Sequence, residues 1–158
     1  MKGNKSDSTV YIGGNVYQSD KKFRNSNSNF LVYNKHMEWF SKRLQDLVYY
    51  VNNEYFQFKL TLITDIGVVE YLKDGFFTKH LDIGKDKISL RKLSVVSFLS
   101  DPNDYQGGRL CFEPSGQAPK QERGSVVIFP SYLPHRVEPV TDGVRYTLVA
   151  WCVGPHFK

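Results

Sequence analysis

Cysteine is scarce in this chain, which has 2 cysteines among 158 residues. Both of them, Cys111 and Cys152, lie inside short apolar runs, and neither has a partner at a zinc-binding spacing. A small disulfide-stabilised domain would need more cysteines than this. We therefore expect two buried, reduced thiols in a cytoplasmic protein.

Long hydrophobic runs are also missing. No apolar stretch approaches the roughly 20 residues that a membrane-spanning helix needs, so no membrane association is expected. The N-terminal sequence MKGNKSDSTV lacks the apolar core of a secretory signal. The hydrophobic fraction of 41%, with 15% aromatic residues, argues against a disordered chain. We expect a single domain over 1–158, with a strand and a helix at about 9–54 and a β-rich core at about 55–153.

The charge balance is moderately basic, with a formal net charge of +5 and an isoelectric point of about 9.1. Such a balance permits an acidic partner without requiring one. Lysines and arginines are concentrated in one region of the chain: Lys73, Lys79, Lys85, Lys87, Arg91 and Lys92.

One stretch has helical periodicity. It begins at Asn34, which is a suitable N-cap, and ends near the sequence VNNE. Apolar residues recur within it at three- and four-residue spacing: Met37, Phe40, Leu44, Leu47, Val48 and Val51. The pattern predicts an amphipathic helix of about five turns whose apolar stripe packs on the core.

After Glu54 the chain has the pattern of successive short strands. The segments are FQFKLTLI, GVVEYL, FTKHLDI, KLSVVSFL, GRLCFE, SVVIF, HRVEPV and VRYTLVAWCV, separated by turn clusters such as DPND, QGG, EPSG and TDG. They predict a mainly β fold, a sandwich or jelly roll, with the helix supporting one sheet. The segment EPSGQAPKQERGS, residues 113–125, is predicted to be a surface loop.

The segment TKHLDIG, residues 78–84, places His80 and Asp82 two positions apart in an extended run. Residues i and i+2 of a strand point to the same side, where inward polar groups need a hydrogen-bond partner, water or a metal. A second histidine, His135, follows a proline at a predicted strand start. Two histidines and one carboxylate suit one face of an octahedral iron and leave three positions open. A zinc hydrolase could use similar ligands, so these residues alone do not identify the metal.

Arg145 lies in the last predicted strand, on the same face as Thr147, Val149 and Trp151. An inward arginine in such an apolar strand needs an anion, and a carboxylate is its best geometric match. No Asp or Glu close in sequence is an obvious partner, which favours a ligand carboxylate. The alternatives are a buried salt bridge and an arginine that extends to the rim.

These segments together resemble the Fe(II)- and 2-oxoglutarate-dependent dioxygenases, in particular the prolyl 4-hydroxylase-like branch. The resemblance rests on EYLKDGFFTKHLD, SVVSFLSDPNDYQGGRLCFEP and GSVVIFPSYLPHRVEPVTDGVRYTLVAW, and it covers roughly residues 57–153. It implies a double-stranded β-helix, a jelly-roll or cupin-like barrel. It also implies Fe(II) bound by His80, Asp82 and His135, and 2-oxoglutarate paired with Arg145. Dioxygen would be the other reagent, and ascorbate is a candidate reductant.

The same resemblance places Tyr71 and Thr147 in the cosubstrate pocket, although Tyr71 could equally be an ordinary strand tyrosine with an exposed hydroxyl. One departure is visible. Several relatives supply a second tyrosine where this chain has Phe98, which has no hydroxyl. Hydrogen bonding around the C5 carboxylate would then depend on Ser94, Ser97 or Thr147.

The resemblance further implies hydroxylation of a substrate C–H bond with release of succinate and CO2, and it favours a prolyl residue in a peptide or protein. The segment IGKDKISLR, residues 83–91, contains Lys85, Lys87 and Arg91. Its composition predicts a mobile loop over the substrate, and a plain solvated hairpin is the alternative.

Two other functions stay open. AlkB-like nucleic-acid demethylases carry a second arginine six residues after the first, where this chain has Trp151, so nucleic acid is not the expected partner. A non-catalytic jelly-roll binding module should have lost one of the four principal site residues, yet all four are present. His36 and His156 lie outside the pattern and are predicted at the surface. The sequence does not indicate an oligomeric state.

Overall fold

The computed structural model describes residues 20–31 and 35–157, and it also gives the backbone of three short strands nearer the N terminus. No helix among these residues is long and apolar enough to cross a membrane. The strands in chain order are β1 (Ser6–Asp7), β2 (Val10–Tyr11), β3 (Tyr17–Gln18), β4 (Arg24–Asn25), β5 (Asn27–Phe30), β6 (Leu62–Tyr71), β7 (Phe76–His80), β8 (Arg91–Phe98), β9 (Tyr105–Gly107), β10 (Leu110–Phe112), β11 (Val126–Pro130), β12 (His135–Val137), β13 (Val140–Gly143) and β14 (Arg145–Val153). The single α-helix of the described residues, α1, spans Glu38–Val51.

Two antiparallel sheets form the body of the fold. The larger has the strand order β1-β5-β6-β14-β8-β11, and the smaller has the order β10-β12-β7-β4. Two-stranded ribbons are formed by β9 with β13 and by β2 with β3. This is the mainly β, double-stranded β-helix arrangement that the sequence predicts. Among the described strands, hydrogen bonds do not join the two sheets into a closed barrel.

The larger sheet has a core on each of its faces. Helix α1 covers one face, where the buried residues are Leu44, Val48, Leu93, Val95, Ala150 and Cys152. The other face packs against the smaller sheet through Val69, Tyr71, Phe98, Leu110, Val137 and Val140. Strand β14 lies between β6 and β8 and contributes alternate side chains to the two cores. The predicted buried thiols are confirmed, since both cysteines are free and buried. Burial raises the pKa of Cys152 to about 12.

The helix is shorter than the sequence predicts. It begins at Glu38 after a 3-10 turn at Lys35–Met37, and a π-helical turn at Asn52–Phe56 follows it. The predicted N-cap, Asn34, lies outside the described residues. Leu47, which was included in the apolar stripe, is 37% exposed because it lies about 100° around the helix from the buried Val48.

Several predicted strand boundaries were wrong. The segments FQFKLTLI and GVVEYL are not two strands, because β6 runs through both and begins only at Leu62. A register shift opposite Val149 and Trp151 and a positive φ of 52° at Asp65 mark a bulge within β6. The QGG and TDG clusters, predicted as turns, contribute to β9 and β13 instead.

Candidate active site

Three side chains that the sequence singles out come together at the smaller sheet. His80 is the last residue of β7, and His135 is the first residue of β12, which pairs with β7 so that the two histidines are directly opposed. Asp82 Oδ1 lies 3.6 Å from His80 Nε2, and Asp82 Oδ2 lies 3.6 Å from His135 Nε2. One donor atom of each residue lies within 4.8 Å of the others. The side chains are 9%, 11% and 5% exposed for His80, Asp82 and His135.

Asp82 reaches this position from a turn rather than from the strand that the sequence predicts, because β7 ends at His80. The backbone of the turn is held by the Ser131 carbonyl, which accepts hydrogen bonds from the N–H groups of Asp82 at 3.0 Å and Ile83 at 3.2 Å. Leu81 between the two polar residues is 48% exposed. The side chains of His80 and Asp82 therefore share one side, as the spacing indicates, although only His80 belongs to the strand.

Backbone carbonyls and aromatic rings orient both imidazoles. Nδ1 of His80 lies 2.7 Å from the Thr78 carbonyl oxygen, and Nδ1 of His135 lies 2.9 Å from that of Leu133. A carbonyl can only accept, so Nδ1 carries the proton and the Nε2 lone pair faces Asp82. The His80 ring stacks on Phe77 with centroids 3.5 Å apart. These contacts fix the rings as the outer partners of metal-binding histidines do.

Protonation in the cluster also suits a metal. Burial lowers the pKa of His135, which keeps its ring neutral. Burial alone would raise the pKa of Asp82, but its side-chain contact with His80, its electrostatic interactions with His135 and His80, and the Ser94 hydroxyl outweigh burial and hold that pKa well below its usual range. A neutral imidazole and an ionised carboxylate are the forms that bind a metal ion.

A buried pair of serines supports the carboxylate. Ser94 Oγ donates to Asp82 Oδ2 at 2.6 Å, and Ser94 Oγ lies 3.0 Å from Ser131 Oγ. The two serines are 1% and 0% exposed. The sequence named Ser94 only as a substitute hydroxyl for the cosubstrate, so its contact with Asp82 was missed. The inward position of Ser94 in β8 was the available signal.

A cavity of about 50 Å³ between the two sheets joins this cluster to Arg145. Arg145 is 1% exposed, and its Nη2 donates to Gln121 Oε1 at 3.4 Å. Its Nε and Nη1 atoms have no hydrogen-bond partner among the described residues. Burial lowers the pKa of Arg145, and the nearby Tyr71 and Tyr105 work against that shift. A buried guanidinium with two unpaired nitrogens fits an incomplete binding site for a carboxylate.

Gly108 leaves the space in which Arg145 lies. A Cβ atom at Gly108 would lie 2.8 Å from Arg145 Cδ and 2.9 Å from Val140 Cγ2. Gly108 also has a φ of +60°, which side chains rarely adopt. The second glycine of the QGG cluster therefore leaves room for the side chain of Arg145.

The other predicted cosubstrate residues lie beside Arg145. Tyr71 is paired with Arg145 across the β6–β14 ladder and is 4% exposed. Thr147 is paired with Phe98 across the β8–β14 ladder and is 2% exposed. Both Tyr71 and Thr147 line the cavity. Ser97, one of the three predicted substitute hydroxyls, is paired with Leu148, which points away from the cavity.

The predicted substrate loop does not keep its three basic residues together. Lys85 and Lys87 are exposed around a 3-10 turn at Asp86–Leu90. Arg91 belongs to β8, where its guanidinium stacks 3.8 Å from the Trp151 ring centroid and lies 3.3 Å from Asp65 Oδ2. Arg91 is therefore a fixed part of the sheet, because an aromatic face and a carboxylate hold its charge.

The two histidines outside the pattern, His36 and His156, are exposed, as predicted. The predicted surface loop at residues 113–125 connects β10 to β11. One of its side chains, Gln121, turns inward to Arg145, which the polar composition of the loop does not predict.

The segments that form this site are similar in sequence to known proteins. A family model described as the 2OG-Fe(II) oxygenase superfamily matches residues 66–153. A PKHD-type hydroxylase of a Synechococcus species is 41% identical over 96 residues, which cover 57% of this chain and 43% of that protein. A PKHD-type hydroxylase of Hyphomonas neptunium is 44% identical over 78 residues, covering 46% of this chain and 35% of that protein. The chain thus matches less than half the length of these curated relatives.

Solved structures share the fold at low sequence identity. A prolyl-4-hydroxylase of Pseudomonas putida aligns with a TM-score of 0.70 at 21% identity, covering 85% of this chain and 74% of that one. A Trichoplax adhaerens prolyl hydroxylase, in complex with a peptide fragment of the hypoxia inducible factor oxygen degradation domain, aligns with a TM-score of 0.74 at 19% identity, covering 92% and 70%. Because the family model spans more than half of the chain, and includes all four of the principal site residues, this protein belongs to the 2OG-Fe(II) oxygenase superfamily.

Proposed function

We propose that this protein is an Fe(II)- and 2-oxoglutarate-dependent dioxygenase that hydroxylates a prolyl residue of a peptide or protein and releases succinate and CO2. One observation carries the proposal. The His80, Asp82 and His135 cluster lines the same buried cavity as Arg145, whose guanidinium has two nitrogens without a hydrogen-bond partner among the residues that the structure describes. The PKHD-type hydroxylase relatives and the prolyl hydroxylase structures support the choice of substrate class.

Each residue of the site has a separate role in this proposal. His80, Asp82 and His135 would hold Fe(II) and leave three coordination positions for reagents. The bound iron would supply the activation of dioxygen. Arg145 would bind the distal carboxylate of 2-oxoglutarate, the bidentate match for a guanidinium. Tyr71 would pack beside it, and the apolar side chains around the cavity would exclude water.

The proposal extends to two exposed lysines, a reductant and a cellular compartment. The exposed Lys85 and Lys87 lie on the segment that follows Asp82, close enough in the chain to contact a peptide bound at the metal. Ascorbate would serve as the reductant that keeps the iron ferrous. A cytoplasmic, reducing compartment suits the two free, buried cysteines.

An anaerobic titration tests the metal and cosubstrate assignment. Fe(II) together with 2-oxoglutarate should give the visible charge-transfer absorption of a chelated 2-oxo acid. We expect His135→Ala to abolish this band and His156→Ala, at an exposed histidine, to retain it. If the wild-type protein gives no band, or if His135→Ala gives the same band, the assignment is wrong.

Mass spectrometry tests the substrate class. Proline-containing peptides incubated aerobically with the loaded protein should gain one oxygen atom, and succinate should form in equal amount. The same peptides with proline replaced by alanine are the control. If methylated oligonucleotides lose their methyl groups while the peptides stay unchanged, the protein is a demethylase instead.

A further inference from the structure

Gln121 connects the loop at residues 113–125 to the buried guanidinium of Arg145. Its Oε1 atom accepts the backbone N–H of Leu110 at 3.1 Å and Nη2 of Arg145 at 3.4 Å. The neighbours of Gln121 in the chain, Lys120 and Glu122, are exposed and pair with each other. One residue of an otherwise superficial segment therefore reaches the buried guanidinium that lines the cavity.

Gln121 could replace the hydroxyl that is missing at Phe98. Phe98 is fully buried, and its ring centroid lies 5.7 Å from Cζ of Arg145, so a hydrophobic ring lies where relatives have a hydroxyl. The carboxamide of Gln121 has both an acceptor oxygen and an NH2 donor. Its oxygen is used by Leu110 and Arg145, which leaves the NH2 group as a donor for an anion bound at the same guanidinium.

We propose that Gln121 is a specificity-determining residue of the 2-oxoglutarate site, which orients Arg145 through its oxygen and donates its amide N–H to the distal carboxylate. This inference rests on the proposed function. It also explains why a neutral residue stands there: a carboxylate at this position would neutralise Arg145 and repel the incoming dianion. The loop at residues 113–125 would then contact the bound cosubstrate through this one side chain.

Replacing Gln121 by Glu should change the melting temperature in opposite directions with and without 2-oxoglutarate. In the ligand-free protein the new carboxylate supplies a partner for a guanidinium that has two unpaired nitrogens. The melting temperature without ligand should therefore rise, because a buried unpaired charge becomes paired. With 2-oxoglutarate present, the wild type should have the higher melting temperature. Its guanidinium is then paired with the ligand carboxylate, which the variant binds less tightly.

Calorimetry under anaerobic conditions, with Mn(II) in place of Fe(II), measures the effect directly. We expect Gln121→Glu to weaken 2-oxoglutarate binding by about 100-fold or more, as for other disrupted buried charge pairs, and Gln121→Met by about tenfold, the loss of one hydrogen bond to a charged group. The matched control is Gln117→Glu, which makes the same charge change at an exposed glutamine of the same loop. It should change the affinity less than about twofold. The affinity for Mn(II) alone should be unchanged in all variants.

The possible outcomes separate this inference from the proposed function. If the wild-type protein does not bind 2-oxoglutarate in the presence of Mn(II), the proposed function fails and the role of Gln121 fails with it. If the wild type binds and Gln121→Glu binds as tightly as Gln117→Glu, only the role of Gln121 is overturned. Should Gln121→Glu fail to fold, Gln121→Met decides: a loss near tenfold supports the role, and a change below twofold overturns it.

Discussion

The hydroxyl of Ser94 should determine how tightly the site binds its metal. Ser94 Oγ donates to Asp82 Oδ2 at 2.6 Å, a distance typical of a strong hydrogen bond to an ionised carboxylate. Such bonds contribute about 1.5–3 kcal/mol. By holding Oδ2, Ser94 keeps the carboxylate in one orientation between the two histidines. Removing an outer partner of this kind typically lowers metal affinity about 10- to 100-fold, which corresponds to about 1.4–2.8 kcal/mol.

The perturbation is Ser94→Ala, and the measurement is a Co(II) titration followed by visible absorption, repeated with Mn(II) by calorimetry. Ser97→Ala is the matched control, since Ser97 lies on the same strand and faces the opposite side. We expect the Ser94 variant to show a metal dissociation constant 10 to 100 times that of the wild type. An unchanged constant, equal to that of the Ser97 variant, would refute the reasoning, because the carboxylate would then need no outer support.

Three other changes test the pocket and the core. Arg145→Met should weaken 2-oxoglutarate binding by about 2–5 kcal/mol, which is about 30- to 4,000-fold, with metal affinity unchanged, as measured by calorimetry. Gly108→Ala should lower both stability and 2-oxoglutarate affinity, whereas Gly116→Ala, with a similar φ and no atom within 4 Å of the added Cβ, should cost only the backbone penalty of about 1 kcal/mol. Leu44→Ala should lower the free energy of unfolding by about 2–5 kcal/mol in urea titrations, and the half-exposed Leu47→Ala by less than about 1 kcal/mol.

Alternation along β14 explains why so much of the site could be predicted from the sequence. A strand has a strict two-residue period, so the placement of Arg145, Thr147 and Trp151 on one face follows once the strand is recognised. The same rule placed His80 and Asp82 on one side even though Asp82 lies beyond the strand end. Local periodicity was sufficient for these pairs because their members are close together in the chain. The meeting of His135 and Arg145 with His80 and Asp82 was instead implied by the resemblance to the dioxygenases.

The residues that were missed are those whose position depends on distant segments. Ser94 lies close to Asp82 because β8 pairs with β11. Ser131, whose carbonyl holds the backbone of Asp82, directly follows β11. Gln121 lies in a polar loop whose composition predicts exposure, and only the three-dimensional path of that loop brings it to Arg145. Helix and strand ends were misjudged for a similar reason, since a π-helical turn and the bulge near Asp65 are set by packing rather than by propensity.

Trp151 adds a further buried polar atom to the two of Arg145 at the same cavity that lack a hydrogen-bond partner in the described part of the chain. Native structures pair more than about 90% of their buried polar groups. Among the described residues, the buried side-chain atoms without a hydrogen-bond partner belong to Thr78, Arg145 and Trp151. Arg145 and Trp151 line the cavity, and Thr78 precedes the metal-site histidine of β7 by two residues. Folding stability alone would favour pairing these atoms within the protein. The presence of Arg145 and Trp151 at one cavity is expected if a ligand, rather than the protein itself, completes their hydrogen bonds.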